Sequence, residues 1–164
     1  MAINRRPANI SIENAELIFR NFAGNESMYN RDGNRNFCVF IDDDDHAEKL
    51  SNEGWNVKIL KPRDEEDKPR HYIQVAVNFK NIPPNVYMYQ GKVRTKLTED
   101  TVDILDHADI VGCDLIITPY SWEMNGNSGI KAYLKTMHVT VEEDEFAAKY
   151  AAFDEGFDKD DIPF

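Results

Sequence analysis

The alternation of apolar and polar residues predicts that most of this chain forms β-strands. Between His71 and Lys80 the apolar side chains fall on every second position, which is the period of a strand with one buried face. Comparable runs predict further strands at 10–22, 36–41, 55–61, 86–97, 112–124 and 129–141. The run at 86–97 is read as a pair of strands around Gly91, and the last two runs as the longest hairpin. The pattern therefore indicates a mainly β domain.

Two of these runs change the parity of their apolar positions. In 10–22 the apolar side chains move from even to odd positions after Ile12, and in 129–141 the parity changes past Thr136. A change of parity within a strand indicates a bulge, because an extra residue moves the following side chains to the other face. Bulges of this kind are typical of strands that curve around a small barrel.

Two helices are predicted between the strands, at Asp44–Glu53 and from an N-capping Thr98 to about His107. Strands followed by a helix and two further strands resemble the OB-fold, a small Greek-key β-barrel. The predicted fold is therefore a mainly β, elaborated OB-fold with one or two helices and an acidic C-terminal tail. A β-sandwich with helical additions is the alternative.

Four aspartates and a histidine, Asp42 to His46, precede and begin the first predicted helix. Acidic side chains there are expected to cap free N–H groups and to interact favourably with the helix dipole. A metal site is the competing interpretation, but consecutive residues point in different directions and few could share one ion. Capping is the preferred prediction, and no metal or cofactor is assigned.

Several large side chains are assigned to the interior. Trp55 and Trp122 are predicted to belong to the core, and Trp55, Val57 and Ile59 are predicted to share one face of their strand, opposite Lys58. The two cysteines, Cys38 and Cys113, lie inside apolar runs and are predicted to be buried free thiols. Free thiols favour a cytoplasmic protein. No run approaches the length of a membrane span.

The net charge of −11 argues against a nucleic-acid partner only until its distribution is considered. Residues 142–164 hold nine acids and two bases, whereas residues 1–141 hold 21 acids and 17 bases. Residues 68–98 contain six bases and no acid. Because local patches decide what a phosphate backbone meets, this segment is a candidate nucleic-acid surface.

Tyrosines lie among these basic residues in the predicted strands. A surface for single-stranded nucleic acid needs cations along the phosphates and aromatic faces on which bases stack. Tyr133, which shares its predicted face with Lys131 and Lys135, is the strongest candidate. Tyr87 and Tyr89 share the sequence parity of apolar Val93, so burial of one of them is left open. The complete set of candidate binding residues is Tyr133, Lys131, Lys135, Lys92, Arg94, Lys96, Tyr72, Lys80, Tyr87, Tyr89, Tyr29, Arg31 and Arg35.

The chain ends in an acidic run followed by Ile-Pro-Phe. The charges keep such a peptide hydrated, and Pro163 prevents a helix. Phe164 then offers a ring and an α-carboxylate together, which suits an apolar pocket rimmed by basic residues. The candidate partner-binding residues are Asp158, Asp160, Asp161, Ile162, Pro163 and Phe164.

This ending resembles that of bacterial single-stranded-DNA-binding proteins (SSBs), on the match of Asp160-Asp161-Ile162-Pro163-Phe164. Those proteins carry a long Gly- and Gln-rich linker before the tail, which this chain lacks. The chain therefore more closely resembles the compact SSBs of tailed bacteriophages. The resemblance implies binding of single-stranded DNA and, through the tail, of replication, recombination or repair proteins.

The predicted organisation is an OB-fold binding domain at 1–142 and an acidic segment at 143–164. That segment is expected to hold a short amphipathic helix from about Asp144 to Phe153, which could dock on the body or on another copy, so a homo-oligomer is left open. The predicted function is sequence-independent binding of single-stranded DNA by a non-enzymatic protein in the cytoplasm, the host's if phage-encoded. The alternatives are an OB-fold protein-interaction module and, ranked last, a metal-dependent nuclease using Asp42–Asp45 and His46.

Overall fold

The computed structural model describes residues 7–80 and 82–143, which form strands in one sheet, one α-helix and one 3₁₀ helix. The strands are β1 (Ile10–Ile12), β2 (Leu17–Asn21), β3 (Arg35–Ile41), β4 (Lys58–Leu60), β5 (Arg70–Val77), β6 (Asn85–Gln90), β7 (Val93–Leu97), β8 (Ile110–Met124) and β9 (Asn127–Val141). Helix α1 spans Asp44–Glu53, and the 3₁₀ helix spans Val102–Asp106. The prediction of a mainly β domain is confirmed.

The main path of the sheet closes on itself. Its strand order is β1-β8-β9-β5-β3-β2, and β1 and β2 are consecutive pieces of one segment. Between them, Ala15 N–H donates to Cys113 O at 2.7 Å on the β8 side, and Phe40 N–H donates to Glu16 O at 3.1 Å on the β3 side. Counting β1 and β2 as one bent strand gives a five-stranded barrel, which confirms the predicted OB-like fold.

Two elements lie off this path. Strand β4, which follows α1, pairs with the edge of β5, and the β6–β7 hairpin pairs through β6 with β9. Strand β9 runs parallel to β5 at Ala132 and Tyr133 and then parallel to β6 from Thr136 onward. Both pieces are additions to the five-stranded path.

The predicted bulge in β9 is present. Leu134 and Thr136 face the adjacent residues Ile117 and Ile116 of β8, so Lys135 is the extra residue. The run at 10–22 is more broken than predicted, because it forms two strands with Asn14 in the left-handed region at φ 50°. A further register shift falls inside β2, between Ile18 and Asn21.

Helix α1 has the predicted bounds and the predicted cap. The Asp43 carboxylate accepts from the N–H groups of Asp45 and His46, and Gly54 ends the helix at φ 106°. Ala47 and Leu50 are its buried residues. The predicted capping of α1 by an acidic side chain is therefore confirmed for Asp43.

The second predicted helix is wrong in extent, since only Val102–Asp106 is helical and Thr98 is not its N-cap. Its buried face is correct, with Val102 and Leu105 fully buried. The missing part is its start, because residues 98–101 form a turn in which the Thr98 N–H donates to Thr101 Oγ1 at 2.8 Å. Beyond the last turn, Arg20 Nη1 donates to Leu105 O at 2.8 Å and to Ala108 O at 2.7 Å, so a residue remote in sequence satisfies these carbonyls.

The interior is formed by the inward side chains of the barrel strands together with the 3₁₀ helix. Trp55 is buried as predicted, and so are the free cysteines Cys38 and Cys113. Ile59, on the strand face predicted to hold Trp55, is exposed because β4 is an edge strand. The placement of Trp122 in the core is wrong, since its side chain lies beyond the barrel on the β8–β9 hairpin and is 42% exposed.

In the part of the chain that the structure describes, no helix is long and apolar enough to cross a membrane. The predicted helix at 144–153 and the candidate partner-binding residues Asp158 to Phe164 lie outside the described residues.

Candidate functional site

A groove of about 890 Å³ crosses the outer face of the barrel over β3, β5 and β9. Its floor includes Asn36, Gln74, Ala76 and Tyr133. These side chains share a face because Asn36 and Tyr133 are the register partners of Ala76 on either side of β5. The loop at 24–34 and the β8–β9 hairpin form its walls. We call this cleft the groove.

The loop at 24–34 holds an aromatic side chain clear of the protein. Tyr29 is 94% exposed. The loop behind it is fixed by Asn30, whose Nδ2 lies 2.8 Å from Asn25 O and 2.9 Å from Asn34 O. Asn36 in β3 donates to Asn30 Oδ1 at 2.9 Å, which ties the loop to the groove floor. The ring of Tyr29 is therefore presented by an ordered loop.

The opposite wall carries Trp122, which the sequence placed in the core. Its indole lies flat over Gly129, where a Cβ would stand 2.9 Å from Trp122 Cζ2. Tyr120 meets Tyr133 edge to face, with ring centroids 6.0 Å apart. Trp55 also borders the groove, and its buried Nε1 has no hydrogen-bond partner among the described residues. Alternation along β8 places Tyr120 and Trp122 on one face, and this signal could have found them.

The cations around the groove are free to meet a ligand. Arg31, Arg35, Lys80 and Lys131 line it, and within the described ranges none of them forms a salt bridge. Arg35 is anchored through Nη1, which donates to Phe22 O at 2.6 Å. Lys131 Nζ lies 5.2 Å from the centroid of the Tyr133 ring. Among the described lining residues Glu99 is the one acid against these four cations, so the groove carries a net positive charge.

A second cluster of predicted residues lies on the outer face of β6, β7 and the end of β9. Register places Tyr87 opposite Lys96, and Tyr89 opposite Arg94. His138 of β9 stacks on Tyr87 at 5.3 Å with planes 12° apart, and its Nδ1 lies 2.9 Å from the Tyr89 hydroxyl. Arg94 reaches over the Tyr87 ring at 5.0 Å. We call these five side chains the β6–β7 face.

Three predicted residues lie elsewhere. Tyr72 is on the outer face of β5 but outside the groove lining, with Phe19 as its aromatic neighbour at 6.0 Å. Lys135 is the bulged residue of β9, and Lys92 lies in the turn between β6 and β7. The structure therefore brings together Tyr29, Arg31, Arg35, Lys80, Lys131 and Tyr133, and separates the others from them.

The acidic cluster proposed for the nuclease alternative is used for structure. Asp43 caps α1, and Asp42 Oδ1 lies 3.0 Å from Arg70 Nη2. The hydrogen bond that Arg70 donates to Glu16 raises the pKa of Arg70, and its hydrogen bond and charge attraction with Asp42 raise it further. Asp44 lies 3.6 Å from His71 Nδ1. Among residues 7–80 and 82–143, no group of three His, Cys, Asp or Glu side chains is arranged to hold a metal ion.

The two thiols are not arranged as nucleophiles. Burial raises the pKa of Cys38 to about 11 and that of Cys113 to about 12, the latter with a further contribution from Asp114. A thiol reacts through its thiolate. Both cysteines therefore remain protonated near neutral pH.

Comparison with known proteins gives a family and a fold. Residues 2–162 match a family described as "Putative phage ssDNA-binding domain". No curated protein sequence is significantly similar to the chain.

Two solved structures are similar in fold. One is the single-stranded DNA-binding protein from bacteriophage Enc34 in complex with ssDNA, at 12% identity and a TM-score of 0.54 over 80% of this chain and 85% of that chain. Another is a separate structure of the single-stranded DNA-binding protein from bacteriophage Enc34, at 12% identity and a TM-score of 0.52 over 80% of this chain and 79% of that chain. At this identity the likeness concerns the fold.

Proposed function

This chain belongs to the phage single-stranded-DNA-binding domain family, and we propose that it binds single-stranded DNA in the groove without sequence specificity. The observation that carries the proposal is that one cleft combines accessible rings with cations that form no salt bridge among residues 7–80 and 82–143. That cleft lies on the barrel face and between the loops that OB-folds use for oligonucleotides. The protein acts by binding, and no catalytic step is assigned to it.

The absence of sequence specificity follows from the kind of contact available. Tyr29, Trp122 and Tyr133 present ring surfaces, and every base can stack on an aromatic ring. Such stacking contributes about 1–3 kcal/mol per base. Arg31, Lys80 and Lys131 suit phosphates, which are the same at every position of a strand.

The β6–β7 face has a secondary role in this proposal. Its rings are stacked on one another, so they offer bases less free surface than the groove does. Arg94 and Lys96 are exposed there and can meet phosphates. Strand β9 joins this face to the groove, because its outer side chains pass from Tyr133 to His138. The primary contacts are therefore assigned to the groove.

A salt titration of oligo-dT binding, run beside a duplex of the same length, tests the groove. Each phosphate contact to a single strand contributes about 0.7 to the log–log slope, so the four groove cations predict a slope of roughly −3. The duplex should bind more weakly because its bases are not free to stack. Equal affinity for the duplex, or binding indifferent to salt, would contradict the proposal.

Tryptophan fluorescence offers a second readout of the same reaction. Trp122 is 42% exposed at the groove whereas Trp55 is 3% exposed. Oligo-dT should therefore quench the emission of Trp122. Quenching should persist in Trp55→Phe and disappear in Trp122→Phe. Quenching that survives in Trp122→Phe would exclude Trp122 as a contact of the strand.

We also propose that the acidic end of the chain recruits replication, recombination or repair proteins in the host cytoplasm. The support is the acidic run of Asp158, Asp160 and Asp161 followed by Ile162-Pro163-Phe164, which offers a hydrated segment next to an apolar ring. Deleting Phe164 should abolish capture of the partner and leave oligo-dT affinity unchanged. Identical pull-downs with and without Phe164 would exclude the tail as the recruiting element.

A further inference from the structure

Phe19 in β2 is a bulky residue in a backbone conformation that bulky residues avoid. Its φ is 50°, and its side chain is 60% exposed. The other non-glycine residues with positive φ among those described are Asn14 and Asn125, and asparagine tolerates this region well. A strained residue that buries little of its ring needs an explanation other than packing.

The strain comes from a bulge that turns Phe19 outward. Ile18 faces Cys38, but the next pair is Asn21 with Asn36, so β2 holds one more residue than β3 across this interval. Without the extra residue, the side chain after Ile18 would point to the barrel interior. The bulge therefore directs the Phe19 ring to the outer face of the sheet.

There the Phe19 ring meets Tyr72 across β3. Their centroids are 6.0 Å apart with planes at 69°. On the intervening strand, Cys38 is the register partner of both Ile18 and Gln74, and its small buried side chain leaves room for the rings to meet. We call this pair the Phe19–Tyr72 platform.

The platform continues the floor of the groove. Asn78, Ala76 and Gln74 line the groove from β5 and its end, and Tyr72 is the next side chain on the same face. At roughly 3.3 Å per residue, Tyr72 stands about 13 Å from Ala76 along the strand. Lys58 of β4 is the register partner of Tyr72 and forms no salt bridge within the described ranges.

Beyond the platform the surface turns unfavourable to an anionic strand. Arg70, the next outer residue of β5, lies over the Phe40 ring at 3.5 Å and is engaged by Glu16 and Asp42. These two carboxylates outnumber the one cation they hold. A DNA strand following β5 out of the groove therefore meets the platform and then an acidic boundary.

We propose that the Phe19–Tyr72 platform stacks a base at one end of the single strand that occupies the groove, with Lys58 at the adjoining phosphate. This inference rests on the proposed function and extends its site past the groove. The ligand of the platform is the same DNA strand that occupies the groove, because the platform and the groove lie on one uninterrupted face of the sheet.

The variant Phe19→Gly separates binding from stability. Glycine adopts positive φ without strain, so the free energy of unfolding should stay the same or rise. Removal of the ring should weaken binding of a long oligo-dT roughly tenfold, the size of one lost base stack. In a length series, short oligo-dT that fills only the groove should bind wild type and Phe19→Gly alike. Phe19→Trp should keep long-oligo affinity.

Ile59→Ala is the matched control, since Ile59 is 59% exposed but pairs with His71 on the opposite face of the same ladder. It should leave affinity unchanged. The proposal is overturned if Phe19→Gly binds long oligo-dT like wild type while Tyr133→Ala binds it weakly, and the groove then stands alone. A clear loss of stability in Phe19→Gly would also overturn it, by assigning the ring to packing. Failure of wild type to bind any oligo-dT would instead refute the proposed function.

Discussion

The groove and the β6–β7 face are built from the same residue types and differ in what those residues already contact. In the groove, Tyr29 is 94% exposed and the cations have no acidic partners among the described residues. On the β6–β7 face, Tyr87 stacks on His138 and lies beneath Arg94. The side chains of the groove are available to a ligand, whereas those of the β6–β7 face mostly contact one another.

This difference shows that a count of tyrosines and lysines does not identify a binding surface. A ring contributes to binding through the face it leaves free, and a ring stacked on a neighbour has already gained that energy in folding. The same substitution should therefore affect affinity in the groove and stability on the β6–β7 face.

The largest expected effect is on the groove side of the comparison. The double variant Lys131→Ala/Tyr133→Ala should cost about 2–3 kcal/mol of binding free energy for oligo-dT at low salt, from one lost stack and one lost cation. Fluorescence anisotropy measures the loss. The unfolding midpoint should change little, because Lys131 is exposed and Tyr133 is only partly buried.

The pair Tyr89→Ala/Arg94→Ala is the matched control on the other surface. It also removes one tyrosine and one cation that are neighbours on one sheet face, here as register partners on β6 and β7. Its effect on affinity should be clearly smaller. Equal losses from the two pairs would erase the distinction between the surfaces.

The next effect is on stability. Tyr87→Leu removes the stack with His138 and the contact with Arg94, so the free energy of unfolding should fall by about 1–2 kcal/mol. Chemical denaturation measures it, with Tyr133→Leu as the control in the groove. If Tyr87→Leu instead abolished oligo-dT binding in a stable protein, the β6–β7 face would be the primary site.

The limits of the sequence are clearest at this face. Numerical parity places Tyr87 with Val93 rather than with Lys96, because parity was followed straight through the turn at Gly91. In the hairpin, partners such as Tyr87 and Lys96 have opposite parity, since Gln90 pairs with Val93 across a two-residue turn. Tyr87 and Tyr89 are both half-buried. The stack on His138 depends on parallel pairing with β9, some 50 residues away, which no local pattern encodes.

Local signals were sufficient where the physics is local. Helix α1 has its predicted bounds because Asp43 and Gly54 fix its ends from adjacent positions. The second helix starts later than predicted, because the Thr101 hydroxyl accepts from the Thr98 N–H and residues 98–101 form a turn instead. Six groove residues were predicted from composition, whereas Trp122 was missed because a large apolar residue is ordinarily read as core.

A smaller effect tests how the groove wall is held. Gly129→Ala places a Cβ against the Trp122 indole, 2.9 Å from Cζ2, so the ring must move from its position. We expect oligo-dT affinity to fall by about 1 kcal/mol, the lower end of one base stack, while the unfolding midpoint changes little. Gly112→Ala in the same hairpin is the control, because its Cβ would meet Thr140 at an ordinary 3.8 Å. If both variants bind alike, Trp122 is not a groove contact.

The smallest expected effect decides where the groove ends on β9. Lys131 lines the groove, whereas Lys135 is the bulged residue and lies outside the lining. In salt titrations, Lys131→Ala should reduce the log–log slope by about 0.7, the value of one phosphate contact, and Lys135→Ala should leave it unchanged. The two variants remove identical side chains from one strand, so their difference reports position alone. An equal reduction for Lys135→Ala would mean that DNA passes over the bulge toward Arg94 and Lys96, and that the two surfaces bind one continuous strand with comparable use of their cations.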